Sequence, residues 1–484
     1  MSDSFAGLTE SEKRDALSKM LLHRIGGPNR PHPLSYGQES RWALVCASPE
    51  SAVENHSFAW RIRTTLDPSA FRSAVHALLK RYACLRSAFG TYEGRVVRYV
   101  QQEFVVPFTD YDIVDADDED IDTAIAREAA MPFDLRSGPV IRVRLFRRAN
   151  GEHSLQVTAH HIVVDFWSLG IALRKLGEAY LMTIAGLPVS SPNDEADYDR
   201  FVLWEAMNVL GPNGASALRY WGRQFAGGID FVRLPIDRYW PTKREFRDAE
   251  YRFTMDDFLV SKLRAAAHEQ DCTLFAVMLT LFNILIYSYT RQKTIAVTSP
   301  VSARSQLGFE HQVGDLSNFL LLRTHIDEQQ DFTDLLRQVR QTVLDALEHR
   351  DFPISLVAKR IQVRDLPEGA VPFPVRFNMP RAHLMKGEIA ESREGEPRLT
   401  AALEGFRAEL EFVDRRVTGS SELNVGFFES QQGLLGSLQY NVELFDKTTI
   451  SQLVARFSNL AAIVGDRTSV SIRDLTTSCN HITA

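Results

Sequence analysis

The chain has 484 residues, 44% of them hydrophobic and 24% charged, and carries a formal net charge of −7. That length exceeds what one ordinary core accommodates, so two domains or lobes are expected, with the balance of a water-soluble globular protein. A net negative charge with scattered Lys and Arg argues against a nucleic-acid partner, which calls for a basic surface.

Cys46, Cys84, Cys272 and Cys479 lie far apart with no C-x-x-C pair. That pattern is neither a disulfide framework nor a zinc site and fits a reducing cytoplasm. The opening residues, MSDSFAGLTESEKRDALSKM, carry neither an apolar signal core nor an Arg-rich transit pattern. A cytoplasmic protein with no membrane contact is expected.

In chain order, LTESEKRDALSKMLLHRI (8–25) predicts an amphipathic helix with a Thr9/Glu12 capping box, broken by GGPNRPHP (26–33). Residues 1–30 therefore read as an appended leader or linker helix. Residues 71–89 have helical spacing, and 94–104 alternate like a strand. The acidic stretch 110–130 reads as a solvated loop and helix start. Residues 138–148 and 154–164 predict two strands, followed by a helix over 168–186 with Ser168 suited to its N-cap. GPNGAS (211–216) is the best boundary between halves, giving a first lobe over 31–210 and a second over 211–484.

In the second half, 257–269 reads as a helix. LFAVMLTLFNILIY (274–287) is short of a bilayer span and interrupted by Thr and Asn, so it reads as a buried core helix. Strands are expected over 293–301, 318–326 and 433–444, and 381–401 as a charged, irregular excursion. The fold class expected is mixed α/β (α+β).

The stretch TAHHIVVDFWSLG (158–170) concentrates the chemistry: His160 and His161 close an apolar strand, with Asp165 just beyond. Three readings stand side by side. The histidines could simply end a strand. His161 and Asp165 could be metal ligands, although no H-E-x-x-H or Cys/His cluster supplies the rest. Or one histidine could handle protons at neutral pH while the other holds the backbone, since neighbours on a strand face opposite sides. No G-x-S-x-G nucleophile motif accompanies them, so both reacting groups would come from substrates.

HHIVVDFWS resembles the H-H-x-x-x-D-G motif of nonribosomal peptide synthetase condensation domains, and the resemblance covers roughly residues 30–475. LSYGQESRWAL (34–44), RYACLRSAF (81–89), PFDLRSGPVIRVRL (132–145) and YDRFVLW (198–204) are similar to that family's successive motifs. LPIDRYWP (234–241), VGDLSN (313–318), HRDFP (349–353) and YNVELFD (440–446) follow in the family's order. Two departures stand out: Arg200 sits where Asp is usual, and Phe166 replaces the glycine after the motif aspartate.

The resemblance implies two chloramphenicol-acetyltransferase-like lobes in a V-shaped pseudo-dimer with a central tunnel. It implies a condensation enzyme that moves an acyl, peptidyl or polyketidyl chain from a carrier-protein phosphopantetheine thioester to an amine or hydroxyl acceptor. The product is an amide or ester of a natural-product pathway. His161 would be catalytic, with His160, Asp165 and Arg304 in structural support, and Asp165 paired to Arg304 of the other lobe. Phe166, Ser168 and Asn318 are candidates for the substrate channel. No bound cofactor and no metal are implied. The partners are an acyl or peptidyl carrier protein in trans and a small amine or alcohol acceptor, free or carrier-bound. A monomer is the default. The rivals are an acyltransferase of the same fold using a CoA thioester directly and a non-catalytic carrier-recruiting domain. An epimerisation domain would show tryptophan where Leu169 follows Ser168, and heterocyclisation domains replace the histidines with aspartates.

Overall fold

The computed structural model describes the chain except for residues 1–6, 25–29, 64, 112–117, 149–150, 190–194, 242–246, 306–307, 381–386, 392–396, 402–407, 416–420, 431 and 481–484. The first half contains α1 (Glu10–Leu22), α2 (Tyr36–Ala47), β1 (Asn55–Ile62), α3 (Pro68–Arg81), β2 (Ser87–Tyr92) and β3 (Arg95–Val100). It continues with β4 (Phe108–Tyr111), α4 (Asp118–Ala129), β5 (Ile141–Arg147), β6 (His153–His160), α5 (Phe166–Ile184) and α6 (Glu195–Leu210). The second half opens with α7 (Pro212–Gln224), β7 (Ile229–Asp230), β8 (Asp248–Asp256), α8 (Asp257–Glu269), α9 (Leu274–Thr290), β9 (Thr294–Ser302) and β10 (Ser317–His325). There follow α10 (Phe332–Glu348), α11 (Ile354–Ala358), β11 (Val363–Arg364), β12 (Val375–Asn378), β13 (Gly387–Glu391) and β14 (Pro397–Ala401). The chain closes with β15 (Ala408–Arg415), β16 (Leu423–Ser430), β17 (Gly433–Asn441), α12 (Lys447–Asp466) and α13 (Ile472–Asn480).

Two main sheets organise the described residues. One runs β15-β1-β6-β5-β4, and the other runs β10-β9-β12-β16-β13-β14 with β17 and β8 joined beside β16. Each has its own core. Phe58, Trp60, Phe71, Leu155, Val157 and Leu173 fill the first, while Trp221, Phe282, Phe332, Phe377 and Phe427 fill the second. Helix α9 is buried along most of its length in the second core, as its uninterrupted apolar character requires. No single described helix is long and apolar enough to cross a membrane.

The halves interlock rather than merely touch. Strand β15, from the second half, pairs antiparallel with β1 of the first sheet. Val313, also from the second half, lies in the first core. A small aromatic cluster of Tyr198, Phe201 and Phe309 fills the seam. Helix α1 has the Thr9/Glu12 capping box that its sequence predicts. It is bound into the body: Lys19 is buried and donates to the Leu34 carbonyl at 2.8 Å, Asp15 meets Arg95, and Glu12 meets Arg360 of the second half.

Four sequence expectations need correction. The helix expected over 71–89 stops at Arg81, and the chain turns into β2 at Ser87. The strand expected to 164 ends at His160, and residues 161–163 form a turn. Ile162, Val163 and Val164 are fully buried there, so their β-branched, apolar character reflects burial in a turn. The following helix begins at Phe166 with Asp165, not Ser168, as its N-cap. The stretch 381–401 holds a strand pair, with β13 against β14.

Candidate active site

The site is assembled on the turn after β6. His160 still belongs to the sheet, its N–H bonded to the Val140 carbonyl at 3.0 Å. The next N–H, of His161, leaves the ladder and bonds the Glu54 carbonyl at 2.8 Å, and Val163 N–H closes the turn on the His160 carbonyl at 3.1 Å. Gln38, on α2, donates its amide to the Ile162 carbonyl at 2.8 Å and so clamps the turn from the side. Ser35 and Gln38 form the capping box of α2, which explains why that pair sits three residues apart at a helix start.

The turn sends the two imidazoles apart. His160 is 3% exposed, accepts the Ile162 N–H on Nδ1 at 3.1 Å and meets the Phe133 ring edge-on. Burial, and next Arg41, push its pKa down to about 3, so it is neutral and packed. His161 keeps 17% of its side chain exposed and lies against His56 of β1, with ring centroids 4.2 Å apart. Its pKa is held well below the ordinary histidine value, first by burial and next by Arg41, while backbone carbonyls nearby pull the other way. A neutral imidazole with solvent access can accept a proton.

Behind His161 lies a polar chain that the sequence reading did not single out. Arg41 on α2 donates Nε to Asp315 at 2.6 Å, Nη1 to Glu54 at 2.5 Å and Nη2 to Ser317 at 3.2 Å. Asp315 Oδ1 stands 3.8 Å from His161 Nδ1. The signal available in sequence was Arg41, one turn after Gln38 on the same helix, and Asp315 inside VGDLSN. Neither declares a partner without the fold.

Asp165 and Arg304 meet across the halves, both nearly fully buried. Asp165 accepts the Ser168 N–H at 2.7 Å, the Leu316 N–H at 3.2 Å and a guanidinium N–H of Arg304. Arg304 also donates to the Ser168 hydroxyl at 2.6 Å and the Gln312 carbonyl at 3.2 Å. The segment 312–317 threads through this network. Gly314 is required in it, because a Cβ there would stand 2.1 Å from the Tyr198 ring.

Two of the three channel candidates are otherwise committed. Ser168 is fully buried, its hydroxyl donating to the Gly314 carbonyl at 2.5 Å and accepting the Gly314 N–H at 2.9 Å. Asn318 donates to the Arg350 and Phe352 carbonyls, both at 2.7 Å, and accepts the Ile354 N–H at 3.0 Å, fastening the HRDFP loop to β10. Phe166 is half-buried against the first core, with its ring 5.9 Å from that of Phe58.

Beside Arg200, which stands where the motif has Asp, lies another acid. Asp199 is buried and accepts from Arg98 at 2.6 Å and Arg30 at 3.0 Å, with His32 Nδ1 at 2.6 Å. Among the described residues, no group of three His, Cys, Asp or Glu side chains is placed to share a metal ion.

Comparison with known proteins adds the context of this geometry. A family model described as "Condensation domain" matches residues 29–480. A linear gramicidin synthase of Brevibacillus parabrevis is 28% identical over 480 residues, covering 98% of this chain and 6% of that protein. Phosphinothricin tripeptide synthetase PhsC of Streptomyces viridochromogenes is 29% identical over 439 residues, covering 90% of this chain and 39% of that protein. The chain thus spans well under half the length of these relatives. Among solved structures, the X-domain from teicoplanin biosynthesis superposes with a TM-score of 0.80 at 20% identity, covering 93% of this chain and 99% of that one. The first condensation domain of the calcium-dependent antibiotic synthetase superposes at 0.73 with 18% identity, covering 93% and 99%.

Proposed function

The chain belongs to the condensation-domain family, and from that premise we propose that it catalyses acyl transfer from a carrier-protein thioester to an amine or hydroxyl acceptor. Condensation domains work on chains held by a carrier protein's phosphopantetheine arm. In this reading the acyl donor sits on such an arm, and the acceptor is a small amine or alcohol. The observation that carries the reading is His161: neutral, part-exposed, and mounted on a turn fastened at its own N–H and at the Ile162 carbonyl.

The chemistry follows from that placement. The acceptor N–H or O–H approaches the imidazole, which takes the proton as the nucleophile attacks the thioester carbonyl. A tetrahedral intermediate forms, the C–S bond breaks as the C–N or C–O bond is retained, and the proton passes to the departing thiol. Asp165 and Arg304 touch no reacting atom in this scheme; they hold the start of α5, and so the turn, against the second half.

The test is turnover of an acyl thioester on a holo carrier protein with a panel of amines and alcohols, followed by intact-protein mass spectrometry. Acyl mass should leave the carrier only when an acceptor is present, and His161→Ala should slow it by ~10²–10⁴-fold. Carrier binding without turnover for any acceptor would leave recruitment as the function. Equal or faster turnover from a free CoA thioester would move the protein to direct CoA-dependent acyl transfer.

A further inference from the structure

We propose that Asp315 is a positioning residue for His161, held by Arg41, and that it stabilises the imidazolium formed when His161 takes the acceptor's proton. The inference rests on the reading of His161 as the proton acceptor, and it adds a role that the histidine and Asp165 of the motif do not supply.

The geometry supports it from three sides. Asp315 is 1% exposed, and its Oδ1 lies 3.8 Å from His161 Nδ1, the ring nitrogen with no well-formed hydrogen bond. That distance is too long for a resting hydrogen bond, and it is short enough for strong attraction once the ring is charged. The carboxylate has little freedom. Arg41 Nε grips Oδ2 at 2.6 Å, while the Ser317 hydroxyl at 2.6 Å and the Ser317 N–H at 3.2 Å hold Oδ1. Helix α2 approaches it so closely that a Cβ at Gly37 would come within 3.1 Å of Oδ2.

Arg41 ties the arrangement to the catalytic turn. Its other end holds the Glu54 side chain, and the Glu54 carbonyl fixes the His161 N–H. The charged and titratable groups around His161 include Arg41 from α2, Glu54 just before β1, His56 on β1, His160 beside it and Asp315 from the second half, with Arg376 of β12 interacting through its charge with Glu54 and Arg41. At rest, burial and Arg41 keep His161 neutral, as a proton acceptor must be. After proton transfer, Asp315 faces the new positive charge across 3.8 Å. With Nε2 assigned the acceptor's proton in this proposal, the arrangement is an acid facing the other ring nitrogen, the logic of a triad without its serine.

The experiment compares the wild-type chain, Asp315→Asn, His161→Ala and the double variant on one acyl-carrier thioester and acceptor. Asparagine keeps the size and the acceptor oxygen while removing the charge. The expected result is a kcat lower by about 10- to 100-fold with KM for both substrates within about twofold. The acid limb of the kcat/KM profile should move to lower pH by about one unit, because removing a nearby anion makes the imidazole harder to protonate. In the His161→Ala background the same change should cost little, since its effect runs through that ring. An equal loss in both backgrounds, or an unmoved pH profile with kcat falling only as far as the melting temperature predicts, would overturn the proposal. If His161→Ala itself turns over at the wild-type rate, the reading of His161 falls, and a defect confined to Asp315→Asn would then give Asp315 some other role, also overturning the proposal.

Discussion

Changing Asp165 to Asn probes the joint between the halves with the smallest possible perturbation. Its carboxylate accepts from Arg304, from the Ser168 N–H at the start of α5 and from the Leu316 N–H. An asparagine keeps one oxygen for the Ser168 N–H, so the cap survives. Its NH₂ then points a donor at Arg304 and the Leu316 N–H, which are donors too. Among the described residues, Arg304 retains neutral acceptors: the Ser302 and Ser168 hydroxyls and the Gln312 and Gly314 carbonyls. A buried charge stripped of its counter-ion typically costs ~3–5 kcal/mol. Melting entropy is about 2.1 cal/mol/K per residue, so a chain of this length melting as one unit should lose ~3–5 °C, and about twice that if the halves melt separately. Calorimetry gives the shift, and the thioester assay should show a lower kcat because the turn bearing His161 is attached to the same helix start. Arg304→Met added to Asp165→Asn should restore part of the loss, since neither charge then remains unpaired. A single variant that melts within ~1 °C of wild type, or a double variant whose losses simply add, would refute the reasoning.

His160→Ala should lower the melting temperature while leaving the acceptor ranking unchanged, because that ring packs on Phe133 and faces no substrate; a changed ranking at unchanged stability would reverse the assignment. Phe166→Gly removes a half-buried ring from its place beside Phe58, so a loss of ~1–3 kcal/mol is expected, below the cost for a fully buried ring, with the order of acceptors in the panel kept. Stability should also fall as pH drops below about 6.5 toward about 3. His160 is depressed to about 3 in the fold, so the unfolded chain binds the extra proton in that window, and His161 acts in the same direction. Glu205 works oppositely: buried and raised to about 7, it contributes stability below its unfolded value that is lost as pH rises through about 7. Glu205→Gln should therefore steepen the rise of stability with pH between about 4.5 and about 6.5 in a denaturant titration, because the opposing group is gone, and an unchanged slope would remove Glu205 from the account.

Local order was legible in the sequence wherever it depends on near neighbours. The capping box of α1, the amphipathic spacing of α3, the apolar α9 and the strand–loop–helix around His161 need only residues a few positions apart. The strand overrun to 164 and the misplaced N-cap have one cause. Ile162, Val163 and Val164 are apolar because the turn is buried, and burial in a turn leaves the same composition as burial in a strand. Apart from Asp165 with Arg304, which the family resemblance implied, pairings between distant residues had to wait for the tertiary structure. Arg41 meets Asp315 across 274 positions, Arg98 meets Asp199 across 101, and β15 returns to complete the first sheet. An arginine or aspartate reads the same whether it is solvated or buried, and only the fold that removes water decides which opposite charge it must find. Asn318 and Ser168 make the same point for neutral groups: once buried, each spends its hydrogen bonds on the backbone, and no periodicity in the chain could have shown which carbonyls would be there.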